Sequence, residues 1–497
     1  MAIHLYMNII LIFKNIIHTI SYGGEIMRWY LGKEREPGET EQPYWGGPIR
    51  LRIPLIHYPL EWPDFIEGMI LCVVPLSIIA AIQNAFGIDY EIALTMVIIY
   101  HFMAMLHTAF GDPAVAGWIT AGIPIYLAFI LNYSTDLGST GVIQAMIALQ
   151  LIVAAIFFLM AFSGGAKRLV SLVPASIKSG ILLGAGVAAI IKVWDNSSSG
   201  IQNDVARWDL GGGVGPISIS FMVAVILSFF ILWSPRSLEY RRKNRLYSWI
   251  VKYGIAPTFI VGYLVGLALG EISFPDNIFD KGWMFMPKFG ATFDAMSPFS
   301  IGWPGPEMFL AAMSTAVIAY ILAFGDILIN KALVDEANDA RRDELVTVDP
   351  NRSNFWAGVR NLSALYFPFL PLAGPLWTGG QALVINRFKT STPKDEYSFW
   401  GGAASYFWGM GLIMFAYPLV LMVQPALPIG YGLTMAIQGY LCTYLAMELV
   451  TTNTERGISG MMGGILATRG ATWALLMGVL LYLVLEHGSR KGRDKEA

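Results

Sequence analysis

The sequence predicts an all-α polytopic membrane protein, and three observations support that prediction. Of the 497 residues, 55% are apolar and only 14% are charged, whereas a soluble domain has about a quarter charged residues. The mean hydropathy is +0.55. Apolar runs recur along the whole chain, and at about 20 residues per membrane helix they suffice for about fourteen spans. Most of the chain is therefore expected in the lipid bilayer.

The composition also excludes several classes of function. The net charge of −2 does not indicate a nucleic-acid partner. Cys72 and Cys442 both lie in apolar stretches, which excludes a disulfide framework. The sequence has no Walker motif, dinucleotide fingerprint or nucleophile elbow, so neither ATP-driven transport nor a cofactor is predicted.

The boundaries of the spans follow from Gly, Pro, Asp and basic clusters between the apolar runs. Spans 1 to 7 are predicted at 65–88, 90–110, 114–131, 141–162, 168–192, 216–234 and 249–270. Spans 8 to 14 are predicted at 306–331, 354–371, 378–388, 398–422, 427–449, 457–468 and 470–487. The chain is accordingly divided into a leader, a first seven-span repeat, an external loop, a second repeat and a tail, at 1–62, 63–270, 271–305, 306–487 and 488–497.

The distribution of Lys and Arg predicts the orientation. These residues concentrate on the even-numbered connections and near both ends of the chain, and cytoplasmic segments retain such charges. The odd-numbered connections hold only Lys192, Arg207, Lys281, Lys288 and Arg469. Both termini are therefore predicted to be cytoplasmic, in the inner membrane of a bacterium.

The first 26 residues leave three alternatives open. Residues 3–21 are apolar but are interrupted by His4, Lys14 and His18, and no small-residue cleavage site follows. The segment fits an interfacial amphipathic helix or a fifteenth span equally well. The third alternative is that translation begins at Met27.

The two sets of seven spans are predicted to be inverted repeats, because an odd number per set turns the second set upside down. Span 3 begins within GDPAVAGWITAG at 111–122, and span 10 within AGPLWTGGQAL at 373–383. Both segments have a Gly-Pro type start followed by Trp, Thr and Gly. Both spans are too short to cross as full helices, which predicts two broken spans, each an extended segment followed by a half-helix.

The first turns of these half-helices are the predicted substrate site. Their unpaired N–H groups and positive dipole ends favour an anion or an electron-rich acceptor. The residues concerned are Thr120, Ala121 and Gly122 in span 3, and Thr378, Gly379, Gly380 and Gln381 in span 10. The alternative is that these Gly and Pro residues mark only kinks.

Asp326 is the predicted coupling group. It lies inside an apolar run with no basic residue within three positions, where an ionisable side chain is costly and indicates a functional site. Asn330 is one turn further along the same face and would orient the substrate together with Gln381. The alternative is an interfacial Asp326 near the cytosolic end of the span, partnered by Lys331.

Several of these features resemble the superfamily of nucleobase/ascorbate permeases and sulfate permeases. They are the acid on span 8, the run DPNRSNFWAGVRNL at 349–362 and the segment FPFLPLAGPLWTGGQ at 367–381. In the first half, MILCVVPLSIIAAI at 69–82 resembles the first span of sulfate permeases, with Pro75 at their Pro, and 168–188 resembles the fifth span. Asn351, Gly358 and Asn361 match the Asn, Gly and Asn of the sulfate-permease connection. The sequence looks like a divergent branch, of the kind grouped as a domain of unknown function, DUF3360.

The resemblance implies a core domain of spans 1 to 4 and 8 to 11 and a gate domain of spans 5 to 7 and 12 to 14. It implies a substrate site between spans 3 and 10, and elevator-like movement, often in a dimer; we expect a homodimer through the gate domain. Asp326 takes the place of the span 8 acid. Gln381 stands where nucleobase permeases have a second acid, so the resemblance favours an anion over uracil or xanthine.

Two weaker features have simpler interpretations. Asp64 and Glu67 follow Pro63 and are interpreted as acids in a first helical turn, although Glu67 could instead line a pathway. His101, His107 and Asp112 do not have the spacing of a metal site, and a structural role is favoured.

The predicted function is secondary active transport of a small polar solute, most consistent with an anion, coupled to H⁺ or Na⁺. A nucleobase proton symporter is the alternative within the class. An anion channel on the same scaffold and an integral-membrane enzyme at His101, His107 and Asp112 are the alternatives outside it.

Overall fold

The computed structural model describes residues 44–194 and 218–486, except 252, 277, 342, 392–396 and 470. The predictions for the leader before residue 44 and for the tail lie outside these residues. In the described part the regular secondary structure is mainly helical, as predicted, and its one sheet is a pair of two-residue strands. The sequence prediction of an all-α membrane protein is confirmed.

Every predicted span contains at least one helix. In the first repeat these are Trp62–Leu71, Val73–Leu76, Ile79–Phe86, Tyr90–Ala109, Ile123–Leu131, Ser134–Phe162, Gly165–Leu172, Ala175–Trp194, Ile219–Trp233, Pro235–Lys243, Arg245–Val251 and Ala256–Leu269. The external loop contains Phe289–Met296 and Pro298–Ile301. In the second repeat they are Pro306–Ala340, Pro350–Asn361, Thr378–Thr390, Phe399–Ile413, Tyr417–Val423, Leu427–Leu449, Asn453–Arg469 and Ala471–Leu481. Short 3-10 and π turns lie at Gly47–Ile49, Thr120–Gly122, Leu362–Leu365, Gln424–Ala426 and Tyr482–Glu486.

Many of these helices are short for a bilayer. By length and hydropathy alone, four helical stretches in the described residues could each cross a membrane, and a fifth arises if Ile219–Trp233 and Pro235–Lys243, bent by 70°, count as one. The chain is an integral membrane protein in which broken helices supplement these long ones. The total of fourteen spans stays a prediction.

Span 1 is not one continuous helix. It was predicted as a continuous run at 65–88, but the structure divides it into three helices. Pro75 has no N–H with which to donate a helical hydrogen bond. In addition, the Ser77 hydroxyl donates to the Val74 carbonyl oxygen over 2.7 Å. Both effects weaken the regular hydrogen bonding of a single helix.

The helices form two groups that pack chiefly within themselves. In the first, which we call the core group, span 1 packs on span 11, span 4 on spans 8 and 9, and span 8 on span 10. In the second, the gate group, span 5 packs on spans 12 and 13, span 6 on span 7, and span 13 on span 14. This division agrees with the core and gate domains that the sequence resemblance implies.

Candidate functional site

The two broken spans meet in the middle of the core group. Strand β1 (Gly117–Trp118) pairs antiparallel with strand β2 (Ala373–Gly374), with Gly117 opposite Gly374. Each strand is followed by the half-helix of its span. The prediction of an extended segment and a half-helix in spans 3 and 10 is confirmed, and the antiparallel pairing fits two oppositely oriented repeats.

Close backbone approach explains the two glycines of this pair. A Cβ atom on Gly117 would lie 2.6 Å from the Trp377 Cβ, and one on Gly374 would lie 2.9 Å from the Trp118 carbonyl carbon. Further backbone bonds extend the junction: the Ile119 N–H donates to Leu372 over 2.9 Å, and the Trp377 N–H to Val115 over 2.6 Å. Larger side chains at the two glycines would separate the broken spans.

A cavity of about 860 Å³ lies between this junction and the gate group. We call it the interface cavity. On the core side it is lined by Thr120, Thr378 and Asp326, together with Trp118 and Trp377. The gate side is lined by Ile181, Ala185, Ala188 and Ala189 of span 5, Met435 and Gln438 of span 12, Leu466 of span 13 and Leu475 of span 14. The cavity therefore lies on the boundary between the two groups of helices.

Asp326 is half-buried in this cavity. Within the described chain it makes no hydrogen bond or ion pair. Lys331 pairs instead with Asp335, with 2.7 Å between Nζ and Oδ2. Lys331 is therefore not the ion-pair partner of Asp326, and an interfacial position of Asp326 stays an alternative.

Gln381 and Asn330 have different surroundings from those predicted. The Gln381 Oε1 accepts the Val115 N–H over 2.8 Å. Its Nε2 donates to the Pro113 carbonyl oxygen over 3.0 Å and to the Asn330 Oδ1 over 2.8 Å. Both side chains are buried and join the start of span 3 to spans 8 and 10. Neither is among the residues that line the interface cavity.

The remaining predicted site residues are backbone positions of the two first turns. Ala121 and Gly122 lie in the 3-10 turn that precedes the helix of span 3, and Gly379 and Gly380 lie in the first turn of span 10. A Cβ on Gly380 would lie 2.7 Å from the Trp377 ring. A substrate-binding role for these residues, and for Thr120 and Thr378, stays a prediction.

Arg360 is a residue whose importance the sequence did not reveal. It lies within predicted span 9 and was not among the predicted site residues, but it is 1% exposed and lies against the strand pair. Its Nη1 donates to the Gly374 carbonyl oxygen and its Nη2 to that of Gly117, each over 2.8 Å. The signal available in the sequence was an arginine in the otherwise uncharged run FWAGVRNL.

A buried ion-pair network lies at the predicted cytosolic end. Arg387 of span 10 pairs with Asp64 and with Glu67 of span 1, the latter over 2.6 Å. The second oxygen of Glu67 accepts the N–H of Ile255, which caps the helix of span 7, over 2.9 Å. The first-turn interpretation of Glu67 is therefore incomplete, because this side chain joins the core group to the gate group.

The histidines of span 2 have separate partners. His107 Nδ1 lies 2.6 Å from Asp112 Oδ2, and Asp112 Oδ1 accepts from the Ser353 hydroxyl over 2.7 Å. The ring of His101 instead contacts the Phe407 carbonyl oxygen at 3.0 Å. Among the residues that the structure describes, no group of three His, Cys, Asp or Glu side chains is arranged to hold a metal ion.

Comparison with known proteins gives likeness in fold only. No family model and no curated protein matches the chain, so the assignment to DUF3360 is not confirmed. Among solved structures, the transmembrane domain of a cyanobacterium bicarbonate transporter, BicA, has a TM-score of 0.48 at 13% identity, over 84% of this chain and 97% of that one. The murine Solute Carrier 26 family member A9 anion transporter, in its inward-facing state, has a TM-score of 0.45 at 12% identity, over 86% of this chain and 68% of that one.

Proposed function

We propose that the protein is a secondary active transporter of a small anion. The observation that supports this proposal most directly is the interface cavity, where Asp326 and the ends of both broken spans meet on the boundary between the core and gate groups. A transporter needs a polar site at such a boundary, because relative movement of the two groups can then expose it to either side.

The donors around the cavity favour an anion. Thr120 and Thr378 line its wall. Thr378 begins the half-helix of span 10, and Thr120 begins the 3-10 turn before the half-helix of span 3; the first N–H groups of a helix have no intrahelical partner. Two such turns supply oriented positive dipole ends to the same space.

Asp326 supplies the coupling. An ionised carboxylate in a membrane cavity repels an anion, and without a partner it is costly. Binding of H⁺ or Na⁺ at Asp326 removes both penalties, so anion and cation bind more favourably together than apart. That mutual dependence is the basis of symport.

Polar bridges between the groups provide a means of closure on the predicted cytosolic side. One is the contact from Glu67 to the Ile255 N–H. The other joins Tyr444 of the gate group to Glu336 of the core group, 3.1 Å from each carboxylate oxygen, and Glu336 also pairs with Lys389. Alternating access requires both bridges to break as the core group moves. Homodimer formation through the gate group also remains a proposal.

Uptake into proteoliposomes tests the function. Sulfate, bicarbonate, a dicarboxylate and uracil are offered under H⁺ or Na⁺ gradients, after a thermal-shift screen has selected ligands that stabilise the protein. We expect gradient-driven uptake of one of the anions. Asp326→Asn should reduce that uptake at least about tenfold, corresponding to about 1.4 kcal/mol of lost coupling.

The matched control is Asp335→Asn, on the same helix but exposed and paired with Lys331. It should leave uptake within about twofold of the native rate, since exposed ion pairs contribute little. Persistent, gradient-independent flux in Asp326→Asn would identify a channel. Uptake of uracil but of no anion would identify the nucleobase alternative.

A further inference from the structure

A second cavity, of about 430 Å³, lies on the opposite side of the strand pair from Asp326. We call it the rear pocket. It is enclosed by residues of spans 1, 2 and 11 and by Arg360, and it shares Trp118 and Trp377 with the interface cavity. Spans 1 and 11 belong to the core group and span 2 packs on span 11, so the rear pocket is inside one group and away from the boundary.

The charge of Arg360 lacks a counter-charge. The side chain forms no ion pair in the described chain, and its two hydrogen bonds go to neutral carbonyl groups. The Tyr100 ring, 5.1 Å from the guanidinium carbon, gives partial compensation through a cation–π contact. A buried charge without an ionic partner is strongly unfavourable. An ion of opposite sign in the adjoining pocket would satisfy this arrangement.

Two buried N–H groups of residues that line this pocket also lack acceptors. They are Nε of Arg360 and Nε1 of Trp377, neither of which has a hydrogen-bond partner in the described chain. Buried donors are rarely left without an acceptor. Both belong to residues that line the rear pocket, and no carboxylate lines it.

We infer that the rear pocket binds one small monovalent anion, held by the charge of Arg360 and by the Nε and Nε1 hydrogens. Apart from these donors, the lining is dominated by aliphatic and aromatic side chains, such as Val74, Val97 and Phe407. Such surroundings replace few of the hydrogen bonds that a strongly hydrated anion makes in water. The pocket therefore selects weakly hydrated ions, such as iodide, thiocyanate or nitrate, over sulfate. Here the anion serves as a resident counter-charge of the core group.

Thermal unfolding of the full-length protein in detergent tests this site. Iodide is titrated against gluconate at constant ionic strength, and the midpoint temperature is followed. We expect a saturable rise with iodide and a weaker one with sulfate. Trp377→Phe removes one N–H and keeps the aromatic ring, so the apparent Kd for iodide should rise about tenfold. Arg360→Gln should abolish the saturable rise.

Two controls separate this site from other anion effects. Arg352 also donates to a backbone carbonyl, that of Gly111 over 2.9 Å, but it does not line the rear pocket. Arg352→Gln should keep the native Kd for iodide. Asp326→Asn, which alters only the interface cavity, should keep it as well.

The proposal is overturned if iodide gives no saturable stabilisation, if sulfate binds more tightly, or if Trp377→Phe keeps the native Kd. It is also overturned if Asp326→Asn changes the affinity, because the ion would then occupy the interface cavity. Should Arg360→Gln fail to fold, Trp377→Phe and Asp326→Asn decide together, because Trp377 lines both cavities whereas Asp326 lines only the interface cavity. These are binding measurements, so failure of the transport proposal in proteoliposomes would leave their outcome unaffected.

Discussion

The strand pair separates two cavities that differ in charge and in position. The interface cavity holds the unpaired carboxylate of Asp326 and lies between the core and gate groups. The rear pocket holds the guanidinium of Arg360 and lies inside the core group. A site on the boundary can open when the groups move, whereas a site inside one group keeps its shape. The positions therefore suit a transported ion pair in front of the strands and a resident anion behind them.

The largest effect is expected from replacing Gln381, whose side-chain hydrogen bonds join the start of span 3 to spans 8 and 10. Gln381→Leu would leave the Val115 N–H and the Pro113 carbonyl without their partners. Each buried unsatisfied group costs about 1–3 kcal/mol, so the free energy of unfolding should fall by about 3 kcal/mol or more. Thermal or denaturant unfolding in detergent measures this change.

Gln438→Leu is the control, because Gln438 lines the interface cavity but takes no part in the hydrogen bonds of Gln381. Its stability should stay within about 0.5 kcal/mol of the native value. If Gln381→Leu is as stable as the native protein and loses only substrate affinity, then Gln381 is a binding residue, as the sequence predicted. In that case the arrangement of the two broken spans does not depend on Gln381.

Gln381 also illustrates what a sequence reveals and what it does not. The broken spans were predictable, because Gly and Pro before two short apolar runs act locally on the backbone. The partners of Gln381 in span 3 lie 266 and 268 residues away, and no local pattern identifies them. Arg360 was missed for the same reason: its carbonyl acceptor at Gly117 is 243 residues distant. Residue type was sufficient to single out Asp326, which lines the interface cavity, but not to assign the neighbours of polar residues.

Gly409 lies in span 11, between two residues that line the rear pocket. Span 11 contributes Phe407 and Met410 to the rear pocket, and Gly409 packs directly on span 1. A Cβ on Gly409 would lie 1.9 Å from the Phe65 carbonyl oxygen, a backbone atom that cannot rotate away. Gly409→Ala should therefore lower the free energy of unfolding by about 2 kcal/mol, measured by thermal unfolding, and should weaken iodide binding.

Gly464→Ala is the matched control. It lies in the helix Asn453–Arg469, and beyond the neighbouring backbone of that helix no atom lies within 4 Å of the Cβ that alanine would introduce. Alanine is the better helix former, so this variant should gain up to about 1 kcal/mol. Equal stability of the two variants would show that span 11 can shift away from span 1 at little cost. The rear pocket would then not keep its shape as proposed.

The third prediction concerns the boundary itself. Glu67→Gln removes the charge that joins Arg387 of the core group to the Ile255 N–H of the gate group. Losing a charge-assisted hydrogen bond should favour separation at this end about tenfold. Asn386 lines a cavity of about 460 Å³ beside Arg387 and Gly254. Maleimide should therefore label Asn386→Cys about tenfold faster in the Glu67→Gln background.

The native thiols do not interfere, because Cys72 and Cys442 are both buried. As a control, Glu239→Gln removes an exposed partner of Lys243 and should leave the labelling rate unchanged. Unchanged labelling in Glu67→Gln would mean that this contact does not restrain the boundary.

The smallest effect is expected at a site remote from both cavities. Glu271 accepts the N–H groups of Ile219 and Ser220, over 2.8 and 2.9 Å, at the start of the helix Ile219–Trp233. Burial raises the pKa of Glu271, but the hydrogen bonds from Ser220 and Ile219 outweigh it and hold the pKa below its ordinary value of 4.5. Since the folded state favours the ionised form, the stabilisation is complete above pH 4.5 and disappears as the pH falls through the lowered pKa.

Glu271→Gln should therefore lower the free energy of unfolding by up to about 1 kcal/mol at pH 7, and by progressively less in acid. Thermal unfolding of both proteins between pH 7 and pH 3 measures the difference. Iodide binding and anion uptake should be unaffected, because this cap belongs to the gate group and touches neither cavity. A change in either would mean that the cap of the gate group influences the two cavities. The distinction between an interface cavity that opens and a rear pocket that keeps its shape would then not hold.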